Sequence, residues 1–262
     1  NKRTYLNGDK HGLWEEYKVG FQTYSNPENF ILKRADYRYG KLHGIYEKYE
    51  FKKYLNGNCS PKSFPKEKSI YKEGKKHGIS KSYSYIIGYK ECPKTKSYLT
   101  TKQNFKFGKK DGIYISYNSF GRITLEGQNK NGKNDGIWKH YNDQGVMTSF
   151  STTKDGIDFG IQKTFHSNGN LFHSYFKKGS VPYGVWKIYD KEGNLISTED
   201  FGDKDKINYK NFSSIYKSYH KNGNLHFTGK NNYKYFLKPV KNMHSKSGKI
   251  NLPHQKISKI GR

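Results

Sequence analysis

Lysine is the residue type whose spacing first suggests chemistry in this chain. It stands three positions after a recurring glycine at Lys81, Lys139, Lys163 and Lys187, and after Ser214 in the same place at Lys217, with Ile115 once in that position and Glu15 and Glu47 at the front. Ammonium groups at regular intervals offer point charges to a periodic anion such as a nucleic-acid backbone. Lys234, Lys238, Lys241, Lys246, Lys249, Lys256, Lys259 and Arg262 add to the set, in a stretch with no acidic residue beyond Asp205. Rings follow the same place by two: Trp14, Tyr46, Tyr114, Trp138, Trp186 and Tyr216. Such a row either forms an exposed platform that stacks bases or grips a peptide, or is buried by sheet twist and neighbouring hairpin tips. The lysines likewise either line up against a polyanion or are solvated strand residues without a partner.

Nothing in the sequence arranges these groups for catalysis. There is no Gly-x-Ser-x-Gly, His-Glu-x-x-His or Cys-His arrangement, so no enzyme and no small-molecule substrate is expected. Residues 127–133 mimic a phosphate-binding loop, but Asn134 stands where Ser or Thr is required. His11, His43 and His77 precede the recurring glycine, yet Asp111, Asp135, Phe159 and Tyr183 hold the same place elsewhere. A metal ligand does not interchange with Phe, so neither metal nor cofactor is expected. Cys59 and Cys92 are too few for a four-cysteine zinc site or a disulfide-dense scaffold. They read as two thiols in a reducing compartment, or as a bridge if the loops carrying them lean together.

The elements that must position these residues follow from a repeat. Gly12-Leu-Trp-Glu-Glu-Tyr17 returns from Gly44, Gly78, Gly112, Gly136, Gly160 and Gly184, and in degenerate form from Ser214 to Tyr219. A second glycine lies four residues upstream in six copies, and a third follows the last aromatic by four in the later ones, as at Gly121, Gly145, Gly169, Gly193 and Gly223. His-Ser-Asn-Gly-Asn-Leu at 166–171 and His-Lys-Asn-Gly-Asn-Leu at 220–225 are hairpin tips, because Asn and Gly both tolerate positive φ. Each unit is then a β-hairpin with strands of roughly five residues. The expected fold is all-β: an elongated single-sheet meander of about eight stacked hairpins over 1–230, with long tip insertions around 18–34, 50–68 and 84–102, and a basic C-terminal extension over 231–262. Aliphatic position one and aromatic position five make one stripe, expected to oppose the rings of position two.

Net charge is +27, from 49 Lys+Arg against 22 Asp+Glu, and only 32% of residues are hydrophobic although 16% are aromatic. No run approaches the roughly 18 apolar residues of a spanning helix, so no integral membrane segment is expected. No apolar stretch of signal-peptide type lies near Asn1, and an intracellular setting is the expectation, whether cytoplasm, organelle matrix or virion interior.

Gly40-Lys41-Leu42-His43-Gly44-Ile45-Tyr46 and Gly132-Lys133-Asn134-Asp135-Gly136-Ile137-Trp138 carry a pattern that resembles the MORN repeat, closest to the variant of bacterial antitoxin and immunity proteins. The likeness runs over about 5–230 and departs at Ser80 and Gln162, where a ring is usual. It implies a meandering sheet used for binding, in scaffolding, membrane-proximal positioning or neutralisation of a toxin. Residues and resemblance together support a non-catalytic scaffold or accessory subunit of a large intracellular assembly, binding protein partners and a polyanion (RNA, DNA or an acidic protein). An antitoxin sequestering one cognate toxin is the second reading, and an adaptor on an anionic membrane the third.

Overall fold

The computed structural model describes residues 4–19, 29–52, 62–86, 96–203 and 211–234. Among them every regular element is a strand, and no helix is long and apolar enough to cross a membrane. The fold is all-β, an open antiparallel meander of 18 strands, as the hairpin repeat requires. The chain divides into two compact units, residues 1–147 with 153–156, and residues 148–152 with 157–262.

The first unit runs β1 (Thr4–Leu6), β2 (Asp9–Val19), β3 (Asn29–Arg38), β4 (Lys41–Lys52), β5 (Lys62–Lys72) and β6 (Lys75–Ile86), then β7 (Lys96–Lys106), β8 (Lys109–Tyr117), β9 (Ile123–Lys130), β10 (Lys133–Asn134) and β11 (Gly136–Tyr141). After β12 (Met147–Lys154) the second unit continues with β13 (Ile157–Phe165), β14 (Leu171–Lys178), β15 (Val181–Tyr189), β16 (Leu195–Asp200), β17 (Asn211–Tyr219) and β18 (Leu225–Lys234).

Two turn chemistries alternate. At Gly179-Ser180 only the glycine takes positive φ, but most hairpins among the described residues are joined by two-residue turns in which both residues do: Asn7-Gly8, Tyr39-Gly40, Glu73-Gly74, Phe107-Gly108, Asn131-Gly132 and Asp155-Gly156. This is the type I′ turn, whose twist matches that of the strands. A left-handed Tyr39 or Phe107 is costly for a bulky residue, and here each ring is held by the preceding repeat. Tyr39 lies 5.5 Å from the ring of His11 and Phe107 4.7 Å from that of His77. Where the histidine is replaced by Asp, the contact becomes polar: Asp111 accepts from the N–H of Asn131 at 3.1 Å and Asp135 from that of Asp155 at 3.3 Å. Gly40, Gly74, Gly108, Gly132 and Gly156 also donate their N–H to the repeat before, as Gly74 does to the Leu42 carbonyl at 2.8 Å.

The tips are different from expectation in two respects. At 166–170 and 220–224 only the glycine takes positive φ, not the preceding Asn. His166 N–H donates to Asn170 O and Gly169 N–H to His166 O, a longer loop closed by a single left-handed glycine. The early tip insertions, in turn, are strand where they are described. β2 to β7 run ten to twelve residues against six to ten for most later strands, so 29–34, 62–68 and 96–102 extend the sheet. Their extra length carries its own ring pairs, Phe30 with Phe51 at 5.1 Å and Phe64 stacked on Tyr85 at 5.4 Å. Cys59 and Cys92 lie outside the described residues.

The recurring glycine sits on a bulge. Between the pairs Ala35↔Tyr46 and Tyr37↔Leu42 the register shifts, so that Asp36 alone faces residues 43–45. Gly44 there has φ +97° and an added Cβ would lie 2.9 Å from Asp36 Oδ2, which accepts the Ile45 N–H at 3.0 Å. Gly44→Ala is therefore expected to lower stability by about 1–3 kcal/mol, from the left-handed backbone and the displaced carboxylate together. Urea unfolding at constant m-value checks this.

Candidate functional site

The two faces of the sheet have opposite characters. Position two, for which a platform and burial were both open, is the buried side: Trp14 and Trp138 are each 8% exposed, and Tyr46, Tyr114, Trp186 and Tyr216 are half-buried. For Trp14, Tyr46, Tyr114 and Tyr216 the cause is a small cross-strand neighbour, whereas Trp186 opposes Glu199. Trp14 opposes Ala35, Tyr46 opposes Ser69, Tyr114 opposes Gly127, and Tyr216 opposes Gly229. A large ring beside a residue with little or no side chain lies down across the sheet and packs on the next ring. Tyr114 and Trp138 are 5.7 Å apart, Tyr46 and Tyr71 5.3 Å, and Trp186 and Phe201 4.7 Å. At Ser80 and Gln162 the row is closed by hydrogen bonds: Ser80 to Ser69 at 2.6 Å, and Gln162 Nε2 to the Thr152 carbonyl at 2.9 Å. The aliphatic residues of position one are correspondingly exposed, from Val185 at 37% to Ile45 at 54%, except Ile161, which is half-buried.

Position three shares the face of position one, since side chains alternate along a strand. In the first unit the register makes it one charged row across β2 to β9: Glu15↔Arg34↔Glu47↔Lys68↔Lys81↔Lys102↔Ile115↔Glu126. Its front is internally neutralised. Arg34 Nε reaches Glu15 at 2.7 Å, and Lys68 reaches Glu47 at 2.8 Å. Burial pushes the Glu47 carboxyl up, but the hydrogen bonds from Lys68 and Tyr49 outweigh it and hold it below the usual carboxylate value. Lys139, one of the expected anion ligands, is paired too: its Nζ lies 3.1 Å from Glu126 Oε1.

Glu126 also accepts from the Tyr141 hydroxyl at 2.8 Å, and these bonds from Tyr141 and Lys139 hold its carboxyl low. Burial and the same hydrogen bond push the Tyr141 phenol up to about 12. The signs follow. The lowered carboxyls stabilise fully above the unfolded value of 4.5, and that contribution is lost as pH falls through their folded values. The raised phenol stabilises fully below 10.0 and loses its contribution as pH climbs through about 12. Stability should thus fall at both ends, and Glu126→Gln should flatten both limbs in a series of urea midpoints against pH.

The second unit is arranged otherwise. The register there reads Lys163↔Ser174↔Lys187↔Thr198↔Lys217↔Thr228, from β13 to β18. Lysines on every second strand alternate with small hydroxyls, and none of the three has a carboxylate partner among the described residues. Lys187 and Lys217 are exposed; Lys163 is half-buried, its Nζ 5.9 Å from the Phe150 ring centroid. Successive lysines sit two strand spacings apart, about 9.6 Å, close to the Debye length of about 8 Å at physiological salt. The row therefore presents positive centres at a regular interval with no carboxylate between them in register. Along the same face lie the position-five rings Phe165, Tyr189 and Tyr219, the last with its hydroxyl 3.4 Å from Thr198 Oγ1.

The sequence did not point to Ser174, Thr198 and Thr228. The signal was available, because each follows its lysine by the same interval across a glycine tip. Lys81 is placed in the first unit's row between Lys68 and Lys102, with no carboxylate partner among the described residues. Lys234 ends β18, while Lys238, Lys241, Lys246, Lys249, Lys256, Lys259 and Arg262 lie outside the described residues. No cluster of three or more metal-ligating side chains occurs among the described residues. No protein-family model matches the chain, and no curated protein matches it.

Proposed function

We propose that this chain is a non-catalytic repeat scaffold that binds protein partners and holds a polyanion, an RNA or DNA backbone or an acidic protein surface, on its lysine face. The observation that carries the reading is the row Lys163, Lys187, Lys217 with hydroxyls between and no acid in register. Elsewhere in the fold, Arg34, Lys68 and Lys139 are matched with carboxylates. An unmatched cationic row is a poor contributor to the sheet itself, because its members repel and gain nothing from one another. It gains when phosphates or carboxylates displace its counterions. The hydroxyls add donors for anionic oxygens without adding charge.

The test is a titration of the full chain with single-stranded oligouridylate and with polyglutamate across a series of salt concentrations. Binding of one or both with a steep negative dependence on salt is the expected result. Binding that is absent at low salt, or insensitive to salt, would end the proposal.

A further inference from the structure

The first unit carries a second surface, on the face that bears its charged row. Ile45, Ile79, Ile113 and Ile137 follow the recurring glycines on β4, β6, β8 and β11 and are 54%, 38%, 48% and 47% exposed. Ile70, opposite Ile45 in register, is 47% exposed and joins them. Asn104 faces Ile79 and Gln128 faces Ile113, so from Ile79 onward the isoleucines recur on every second strand with amide side chains between them. Exposed isoleucines repeated along one line are unusual on a surface that faces only water. Two residues further along the strands, Lys81 faces Lys102 directly, and neither has a carboxylate partner among the described residues. Like charges directly opposite one another in a sheet are unfavourable unless something anionic lies over them.

We propose that this ridge docks an acidic amphipathic helix from a protein partner. The spacing selects a helix. Isoleucines on every second strand stand about 9.6 Å apart, and a heptad of α-helix rises about 10.5 Å. An extended peptide lying along the ridge would present same-side residues every 6.8 Å or so, out of step with it. Charge selects the flank. A helix seated with its apolar seam on the ridge brings the neighbouring helix positions over Lys81 and Lys102, about 6.8 Å along the strands from the ridge line. Carboxylates there relieve the lysine pair, whereas basic residues would repeat its repulsion. Aliphatic side chains, unlike rings, offer a nucleic-acid base little to stack on, so the ridge suits a protein seam. The surface is independent of the lysine–hydroxyl row in the second unit, and either assignment stands or falls alone.

The experiment uses the full chain and three labelled peptides of about four heptads, read by fluorescence anisotropy. One has a leucine seam with glutamate flanks, one the same seam with lysine flanks, and one the acidic composition with the seam scrambled. The acidic amphipathic peptide is expected to bind, the lysine-flanked one not to, and the scrambled one to bind about tenfold more weakly or worse. Ile79→Ser with Ile113→Ser, and separately Lys81→Ala with Lys102→Ala, should each weaken binding by about tenfold. The isoleucines are exposed, so the fold should survive, and a thermal melt of both variants confirms it; the lysine pair provides a second handle. Equal binding of the scrambled peptide, wild-type affinity in both variants, or no binding of the acidic peptide would overturn the proposal. So would oligouridylate competing for the same isoleucines, or self-association of the chain that Ile79→Ser and Ile113→Ser abolish, each of which would assign the ridge to another occupant.

Discussion

Trp138→Ala is expected to cost about 3–5 kcal/mol, the largest stability loss of any single change considered, because the ring is both a ridge of the buried face and the cover of a glycine. A Cβ on Gly127 would fall 2.2 Å from the Trp138 ring, so the ring occupies the space a side chain would need. Truncation leaves two small residues side by side and a trough between them. The reverse change tests the same packing: Gly127→Ala should cost about 1–3 kcal/mol by forcing the ring away. Combined, the two should cost less than their sum, since each relieves the defect of the other. The ring nitrogen allows a finer separation. Trp138 Nε1 is buried with no hydrogen-bond partner, whereas Trp186 Nε1 donates to the Phe176 carbonyl at 2.9 Å. Trp138→Phe should therefore be mild and Trp186→Phe worse by about 1 kcal/mol, the worth of the lost bond. Equal losses at the two positions in urea unfolding would contradict this reading of the buried face.

The second large effect is on binding. Lys163→Glu, Lys187→Glu and Lys217→Glu together should lower affinity for a single-stranded oligonucleotide by about a hundredfold or more at 0.1 M salt. Each lost phosphate contact removes about 0.7 from the slope of log K against log salt, so three remove about 2. Reversal adds repulsion to that loss. The fold should tolerate the change, because the three lysines face Ser174, Thr198 and Thr228, and surface substitutions of this kind usually fall within about 0.5 kcal/mol. Lys139→Glu is the matched control. That lysine is already paired with Glu126, so its reversal should disturb the first unit's stability while leaving oligonucleotide affinity nearly unchanged.

Much of the fold was legible in the sequence because glycine reports backbone geometry directly. The paired glycines at 40 and 44 mark a type I′ turn and a bulge, and the tip glycines at 121, 145, 169, 193 and 223 mark the loops between strands. Periodicity told which residues share a face, but not which face is buried. That depended on the residues opposite: Ala35, Ser69, Gly127 and Gly229 are small, so the rings collapse over them and the isoleucines are left outside. The lysine column was visible as a spacing, yet its electrical character was not. Whether a strand lysine is free rests on the residue facing it across the sheet, Glu126 for Lys139 but Ser174 and Thr198 for Lys187. The early insertions read as lengthened hairpin tips because extra residues, Gly20, Gly57 and Gly88 among them, stand where the later repeats turn at once. In the structure, the alternating rings of Phe30, Phe51, Phe64 and Tyr85 carry the strands onward.

The central claim is that a polyanion lies along the second unit's lysine–hydroxyl row, and a photocrosslink reads that position directly. An oligouridylate carrying 4-thiouridine, irradiated on the full chain and mapped by mass spectrometry, should leave adducts on Tyr189 and Tyr219, the rings beside Lys187 and Lys217. Adducts confined to residues 1–147 or to 235–262, with none on β13 to β18, would contradict it.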